Sequence, residues 1–454
     1  MTAAIDPLDE AEPRPPAFSD EDIALAFAEL HAADMRYVAT WGKWMLWTGQ
    51  RWRQDDTKRA FDLVRGVCRE FAAACNVLKV GKAIASAKTR AAVESLATGD
   101  RRLAATVDQW DANDSFLNTP GGVVDLTTGR IVPHDPGYYA TKITAVGPGG
   151  ACRLWRSFLD RVCAGDIELI EFLQRCAGYA LSGSTREHAL FFLYGVGANG
   201  KSVFLNTISA IMADYHTASP VETFTQSTGE QHPTGLASLR GARLVTAVET
   251  EEGRRWAEAR IKQMTGGDPI TARFMRQDFF TFAPRFKLFI AGNHKPALRT
   301  VDEAMKRRMN LIPFAVVVPT KERDPDLKDK LKEEWPGILA WMIEGCLQWQ
   351  AQGLSPPKVV RDATEAYLVA EDALSAWIEE ACVQDPNGWE TSTNLFASWK
   401  GWTERTGEYT GNMKRFVQSL DTHGFPQERR MKARGFIGLK LEGNGAFSGP
   451  DWDR

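Results

Sequence analysis

No CxxC pair occurs anywhere in the 454-residue sequence: its seven cysteines, at positions 68, 75, 152, 163, 176, 346 and 382, stand apart. That spacing excludes a zinc ribbon and a disulfide framework, and it predicts free thiols in a reducing cytoplasm. Cys68 and Cys75 lie seven apart on a helical pattern and read as core positions. No run of about 18 uncharged apolar residues is present, so no membrane span is expected. Residues 1–20 are acidic and proline-rich rather than basic and then apolar, which excludes a signal peptide and predicts a disordered lead-in over 1–18. Positive charge is not in excess either, with 55 Lys and Arg against 58 Asp and Glu. Any contact with nucleic acid must therefore come from local patches. Internal repeats and extended low-complexity segments are also absent.

What is present is ordinary for a globular chain, 44% hydrophobic and 25% charged, and long enough for several buried cores. Residues 19–150 read as one α+β domain. Met45-Leu-Trp-Thr-Gly-Gln-Arg-Trp52 alternates around a Thr-Gly turn and predicts a hairpin, a long helical stretch follows over 58–93, and residues 123–132 predict a second hairpin with Gly129 at its turn. Trp41, Trp44, Trp47 and Trp52 could offer base-stacking platforms. Their strand and helix periods favour core and hairpin packing instead. The next domain spans 151–353, where an amphipathic helical stretch over 155–182 leads into an apolar strand at 190–194. Residues 354–372, opening with Leu-Ser-Pro-Pro-Lys, read as a linker before a small domain over 373–454.

The densest signal begins at Leu190-Phe-Phe-Leu-Tyr194, five residues that read as a buried strand, followed by Gly195-Val-Gly-Ala-Asn-Gly-Lys201-Ser202. Strand, glycine-rich turn and helix together make a P-loop. Gly195 and Gly200 let the backbone curl with its N–H groups inward around a phosphate. Lys201 would neutralise the β and γ phosphates of ATP, and the Ser202 hydroxyl would hold Mg²⁺. The helix expected over 203–212 aims its positive end at the same anion. The nucleotide-binding set is thus Gly195, Gly197, Ala198, Asn199, Gly200, Lys201, Ser202 and Val203.

Downstream order separates a motor from a kinase. Arg243-Leu-Val-Thr-Ala-Val248 reads as a buried strand that ends in Glu249-Thr-Glu251, the shape of a Walker B site. Glu249 is assigned to Mg²⁺ and Glu251 to the attacking water, with the two roles open to exchange. The next strand, 286–292, ends at Asn293, where a polar tip can hold the lytic water or sense the γ-phosphate. Arg307 and Arg308 then precede another apolar strand, and one of them can reach a neighbouring subunit's γ-phosphate as an arginine finger.

These motifs, with Lys262-Gln-Met-Thr-Gly-Gly-Asp-Pro-Ile-Thr-Ala-Arg273 and Gly292-Asn-His-Lys-Pro296, come in the order found in superfamily 3 helicases. More narrowly the chain resembles the helicase part of the phage, plasmid and poxvirus primase-helicase family. Asn118-Thr-Pro-Gly-Gly-Val-Val-Asp-Leu-Thr-Thr-Gly129, up to Lys142-Ile-Thr, resembles that family's domain just upstream; the likeness runs over roughly residues 30–440. The resemblance implies an AAA+-like α/β core forming a hexameric ring that moves 3′ to 5′ on single-stranded DNA. It matches Lys201 and Ser202 to the P-loop pair, Glu249 and Glu251 to the acidic pair, Asn293 to the sensor, and Arg307 or Arg308 to the finger. It also matches residues 273–284 to a hairpin in the ring channel, with Arg273, Arg276 and Gln277 as phosphate contacts. Many members carry a primase or zinc module upstream, which this chain has neither the length nor the cysteines to hold, so priming is not expected of it.

Residues 391–441 read as two helices (394–405 and 412–423) and a basic hairpin, the pattern of a winged helix. Lys414, Arg415, Arg429, Arg430, Lys432 and Arg434 are its candidate DNA contacts. The whole reading is a cytoplasmic, ATP- and Mg²⁺-dependent replicative helicase acting on single-stranded and forked DNA, working beside a separate primase or polymerase and touching no membrane. A DNA-binding ATPase that loads or recognises an origin without unwinding, and a small-molecule kinase, are the other classes weighed.

Overall fold

Ser19 starts the first helix: its side-chain oxygen accepts the Asp22 N–H at 3.2 Å, and Asp20, Glu21 and Asp22 sit at the positive end of α1 (Asp20–His31). The computed structural model describes residues 14–226, 234–248, 254–275, 278–298, 303–408, 410–430 and 433–442. The chain divides into two units, residues 1–124 with 131–143, and residues 125–130 with 144–454. Most of the expected lead-in lies outside the described residues, but its last residue, Phe18, already packs on the first core.

In the first unit, β1 (Met35–Val38), β2 (Lys43–Trp47) and β3 (Trp52–Gln54) form an antiparallel meander in which Met35 faces Leu46 and Trp47 faces Trp52. Trp44 and Trp52 are buried and Trp41 and Trp47 pack beside them, so these rings are core, as their periodicity indicates. The helical stretch expected over 58–93 is three helices: α2 (Arg59–Ala74), α3 (Leu78–Ile84) and α4 (Ala87–Ala97). Extended backbone at Cys75 ends the first, and the Ser86 side chain caps the third. A second small sheet has the order β4 (Phe116–Thr119), β5 (Gly122–Asp125), β6 (Arg130–Val132).

The second unit opens with α5 (Arg153–Val162) and α6 (Ile167–Leu181), two helices in place of the single stretch expected there. Its centre is a five-stranded parallel sheet built from β7 (Leu190–Tyr194), β8 (His216–Ala218), β9 (Leu244–Val248), β12 (Lys287–Gly292) and β13 (Met309–Pro313). Between these lie α7 (Lys201–Met212), α8 (Thr234–Ala237), α9 (Glu258–Gly266), the hairpin β10 (Ile270–Ala272) with β11 (Phe280–Phe282), and α10 (Glu303–Lys306). The strand order is β13-β7-β12-β9-β8. A parallel sheet is covered on both faces, which is why β7 and β12 read as near-continuous apolar runs rather than alternating ones. The polar exception, Lys287, is satisfied by the Ser182 carbonyl and lies 4.8 Å from the Tyr179 ring centre.

After α11 (Leu327–Glu333) and α12 (Trp335–Gln352) comes a departure from expectation. Most of residues 354–372, read as a linker, is helix: α13 (Lys358–Ala381) starts directly after the two prolines and runs unbroken into the last domain. Its first half belongs to the sheet. Thr364 accepts the Leu311 N–H at 3.0 Å, and Tyr367 and Leu368 join the central core. Its second half, from Ala373 to Ile378, joins the C-terminal core with Trp399, Trp402 and Phe416. There β14 (Cys382–Thr391), α14 (Ser392–Thr406), α15 (Met413–Thr422), β15 (Gln427–Arg430) and β16 (Ala433–Leu441) follow, with an antiparallel sheet in the order β14-β16-β15. Among the described residues no helix is long and apolar enough to cross a membrane, and all seven cysteines are free thiols.

Candidate nucleotide site and nucleic-acid interface

Tyr194 pairs with Gly292, and Ala291 with Val248, so the ends of β7, β12 and β9 share one edge of the sheet. From that edge the chain turns through Gly195–Gly200 into α7. Gly195 and Gly200 have φ of 147° and 89°, and Ala198 holds a left-handed φ of 62°. A Cβ at Gly195 would run into the Phe314 carbonyl, and one at Gly200 would approach Val162 to 2.6 Å. Only glycine fits either place. Asn199 is buried and donates its amide to the Phe314 carbonyl at 2.9 Å, which pins the loop to the end of β13. This gives Asn199 a structural duty within the predicted nucleotide set. Ser202 and Val203 follow in the first turn of α7, with Ser202 exposed.

Lys201 decides what this loop can do. The residue is only 6% exposed, and its ammonium is held by the Gly195 carbonyl and, at 3.2 Å, by the Asn293 side-chain oxygen. Burial pulls its pKa below the usual lysine value. Two neutral oxygens do not neutralise a buried cation, so the site suits an anion. The structure thus brings together Lys201 and Asn293, 92 residues apart in sequence. Glu249 and Glu251 follow β9 directly and lie outside the described residues.

Arg307 and Arg308 separate clearly. Arg308 is 6% exposed, with its Nε donating to Thr265 at 3.0 Å and its Nη1 to the Ala304 carbonyl at 2.7 Å. That guanidinium ties α9 and α10 to β13, and its burial inside its own chain removes it as a candidate to reach a neighbour. Arg307 is exposed, at a cavity of about 460 Å³ between β13 and α13.

On the β10–β11 hairpin the Arg273 guanidinium lies 4.8 Å from the Phe279 ring centre. Arg276 and Gln277 are outside the described residues. The hairpin end is richer in apolar surface than the basic reading anticipated, with Met275 73% and Phe279 60% exposed. In the C-terminal domain Arg429 faces Arg434 across the β15–β16 hairpin and both are exposed, while Arg430 pairs with Glu428 at 2.6 Å. Lys432 falls outside the described residues. Lys414 and Arg415 are not with them: they line a cavity that also contains Asn293. Lys295, which lies within the Gly292–Pro296 motif, and Arg254, which no motif marked, line that cavity as well.

Two family models match the sequence. One, described as D5 N terminal like, covers residues 24–164. The other, a family of unknown function (DUF5906), covers residues 193–308. A protein of Acanthamoeba polyphaga mimivirus that bears a helicase name, L207/L206, is 26% identical over 267 residues, 54% of this chain and 28% of that protein. C962R of African swine fever virus (isolate Warthog/Namibia/Wart80/1980), which bears a primase name, is 21% identical over 319 residues, 64% of this chain and 33% of that protein. Over these segments the chain is similar to the phage and poxvirus-type primase-helicase family. It spans a third or less of the length of these two relatives. Among solved structures, the C-terminal region of NrS-1 aligns over 91% of this chain and 98% of its own, at 9% identity and a TM-score of 0.46. The second matched segment contains the whole site from Gly195 to Arg308.

Proposed function

We propose that this chain is an ATP-dependent DNA helicase, a ring-forming translocase on single-stranded DNA that serves the replication of a phage, plasmid or other mobile element. The observation that carries the reading is the Lys201–Asn293 contact at the carboxyl edge of the parallel sheet, beside a glycine cradle that admits no Cβ. A P-loop lysine and a sensor asparagine on adjacent strands are the parts of a superfamily 3, AAA+-like ATPase. The relatives' helicase and primase names support the same class of role.

In this reading a bound Mg²⁺ would supply charge neutralisation at the phosphates. Ser202 and Glu249 would hold it. Lys201 neutralises the phosphates, the loop N–H groups orient them, and Asn293 with Glu251 orients the attacking water. Arg307, exposed at the far edge of the sheet, is the arginine that reaches the next subunit of a homo-hexamer. Two helices and an antiparallel sheet ending in a basic hairpin support a winged helix, with Arg429 and Arg434 toward DNA phosphates. Arg273 on the β10–β11 hairpin, and Arg276 and Gln277 beside it, would track the strand inside the ring. A separate primase or polymerase is the expected partner.

Strand displacement on forked duplexes carrying a 3′ or a 5′ tail tests this directly. ATP-dependent unwinding that needs the 3′ tail is expected. DNA-stimulated turnover with no displacement from either fork would support a loading ATPase instead.

A further inference from the structure

A cavity of about 740 Å³ opens beside the nucleotide loop, between the sheet edge and α15. Its walls include Arg254, Asn293, Lys295, Glu371, Lys414 and Arg415. Asn293 belongs to both places, since the same side chain accepts from Lys201 at 3.2 Å. Four cations therefore converge from three separate segments: the chain after β9, the turn after β12, and the first turn of α15. Among the described residues that line the cavity, Glu371 is the carboxylate. Arg254 is shared with Glu222, 2.8 Å away, and Glu371 accepts the Leu298 N–H at 3.0 Å.

Lys295 reports the charge balance inside. Its ammonium lies 4.0 Å from the Tyr194 ring centre and 5.7 Å from that of Tyr367. Burial, and then the like charge of Arg415, lower its pKa, with Glu371 opposing. Lys295 thus shares the cavity with the like charges of Lys414 and Arg415, an arrangement that an anion placed among them would relieve. Asn412, Lys414 and Arg415 bring the first turn of α15, the positive end of that helix, to the cavity wall, where Asn412 accepts the Arg415 N–H at 2.9 Å. The exposed pair Arg429 and Arg434 lies on the β15–β16 hairpin and is not part of this lining. The two basic features of the C-terminal domain are thus distinct.

We infer that this cavity is an anion subsite continuous with the nucleotide loop, in which Lys414 and Arg415 bind the terminal phosphate of the nucleoside triphosphate held by the same chain. The inference rests on the nucleotide reading of residues 195–202 and changes the assignment of these two cations from DNA to nucleotide. ADP lacks the group they would meet, so the C-terminal domain would distinguish triphosphate from diphosphate through two side chains at one end of α15.

The test compares binding of a non-hydrolysable ATP analogue and of ADP to the full chain. Lys414→Gln with Arg415→Gln keeps the aliphatic stems and helix propensity while removing both charges. It should weaken the triphosphate analogue tenfold or more, leave ADP within twofold, and leave single-stranded DNA affinity unchanged; Arg415→Lys should recover much of the loss. An unchanged ratio of the two nucleotide affinities overturns the inference, and an unchanged ratio with weakened DNA binding returns these cations to the DNA strand. Lys201→Ala separates the premises: if it binds both nucleotides like the wild type, the nucleotide reading itself fails, whatever the double variant does. Hydrogen exchange on the unmutated chain is the second measurement. The analogue should slow amide exchange in α15 beyond the effect of ADP, and equal exchange in the two states contradicts the inference.

Discussion

Lys201 is held in place by a loop carbonyl and by Asn293. Such preorganisation is what phosphoryl transfer needs, because catalysis there is mostly positioning and charge neutralisation. The two arginines at the end of α10 give the sharpest residue-scale forecast. Arg308→Ala removes a buried guanidinium and leaves Thr265 and the Ala304 carbonyl without their donor, a loss of about 2–4 kcal/mol. A marked fall in melting temperature is expected, readable by calorimetry. Arg307→Ala should melt like the wild type and still bind ATP, yet lose turnover; full turnover in that variant would remove it as the finger. At this scale the sequence was legible where chemistry demands a residue type. Gly195 and Gly200 were legible from the motif, because no other residue fits those backbone positions. It could not separate Arg307 from Arg308, since adjacent arginines look alike until packing buries one.

Elements carry a second set of consequences. Helices α6 and α12 touch backbone to backbone at two glycines: a Cβ at Gly178 would collide with the Cys346 nitrogen, and one at Gly345 with the Gln174 carbonyl. Gly345→Ala should therefore destabilise the second unit by about 3 kcal/mol, the high end for overpacking, lowering the urea midpoint without changing the slope. On α13, burial raises the Glu371 carboxyl from its ordinary 4.5 to about 7, with the Leu298 N–H and then Arg415, Arg255 and Lys295 pulling the other way. The folded chain thus holds this proton more tightly than the unfolded one. Its contribution to stability is complete below about pH 4.5 and is lost as pH rises through about 7. The melting temperature of the wild type relative to Glu371→Gln should decline from pH 5 to pH 8; parallel curves would show that the carboxyl stays ionised throughout. The same helix was misread from sequence. Leu354-Ser-Pro-Pro signalled a break, and the break is real but only a few residues long, because Thr364 and Tyr367 bind the next turns to the sheet. Strand β14 escaped notice for a related reason: Asp385-Pro-Asn-Gly388 reads as a turn, and its register shift between Gln384 and Trp389 absorbs those residues inside a strand.

For the whole molecule, the claim is that turnover belongs to an assembly and not to one chain. Each ATP would be bound by Lys201 of one subunit and attacked under the influence of Arg307 from the next. Lys201→Ala and Arg307→Ala chains, each inactive alone, should then recover turnover when mixed, because some interfaces combine an intact loop with an intact arginine. No recovery, with mixed oligomers confirmed by mass measurement, would place both residues in service of one subunit. Four of the five strands of the parallel sheet, β7, β9, β12 and β13, were legible from apolar runs and the motifs at their tips, whereas the three-residue β8 and the order of the strands were not. Assembly is written on surfaces that a single sequence does not mark. The most direct test of the central claim is the steady-state rate of ATP hydrolysis by the full chain with and without single-stranded DNA. The account predicts a rate that rises tenfold or more with DNA and vanishes in Lys201→Ala. A rate indifferent to DNA would contradict a translocating motor and point to a phosphoryl acceptor other than water.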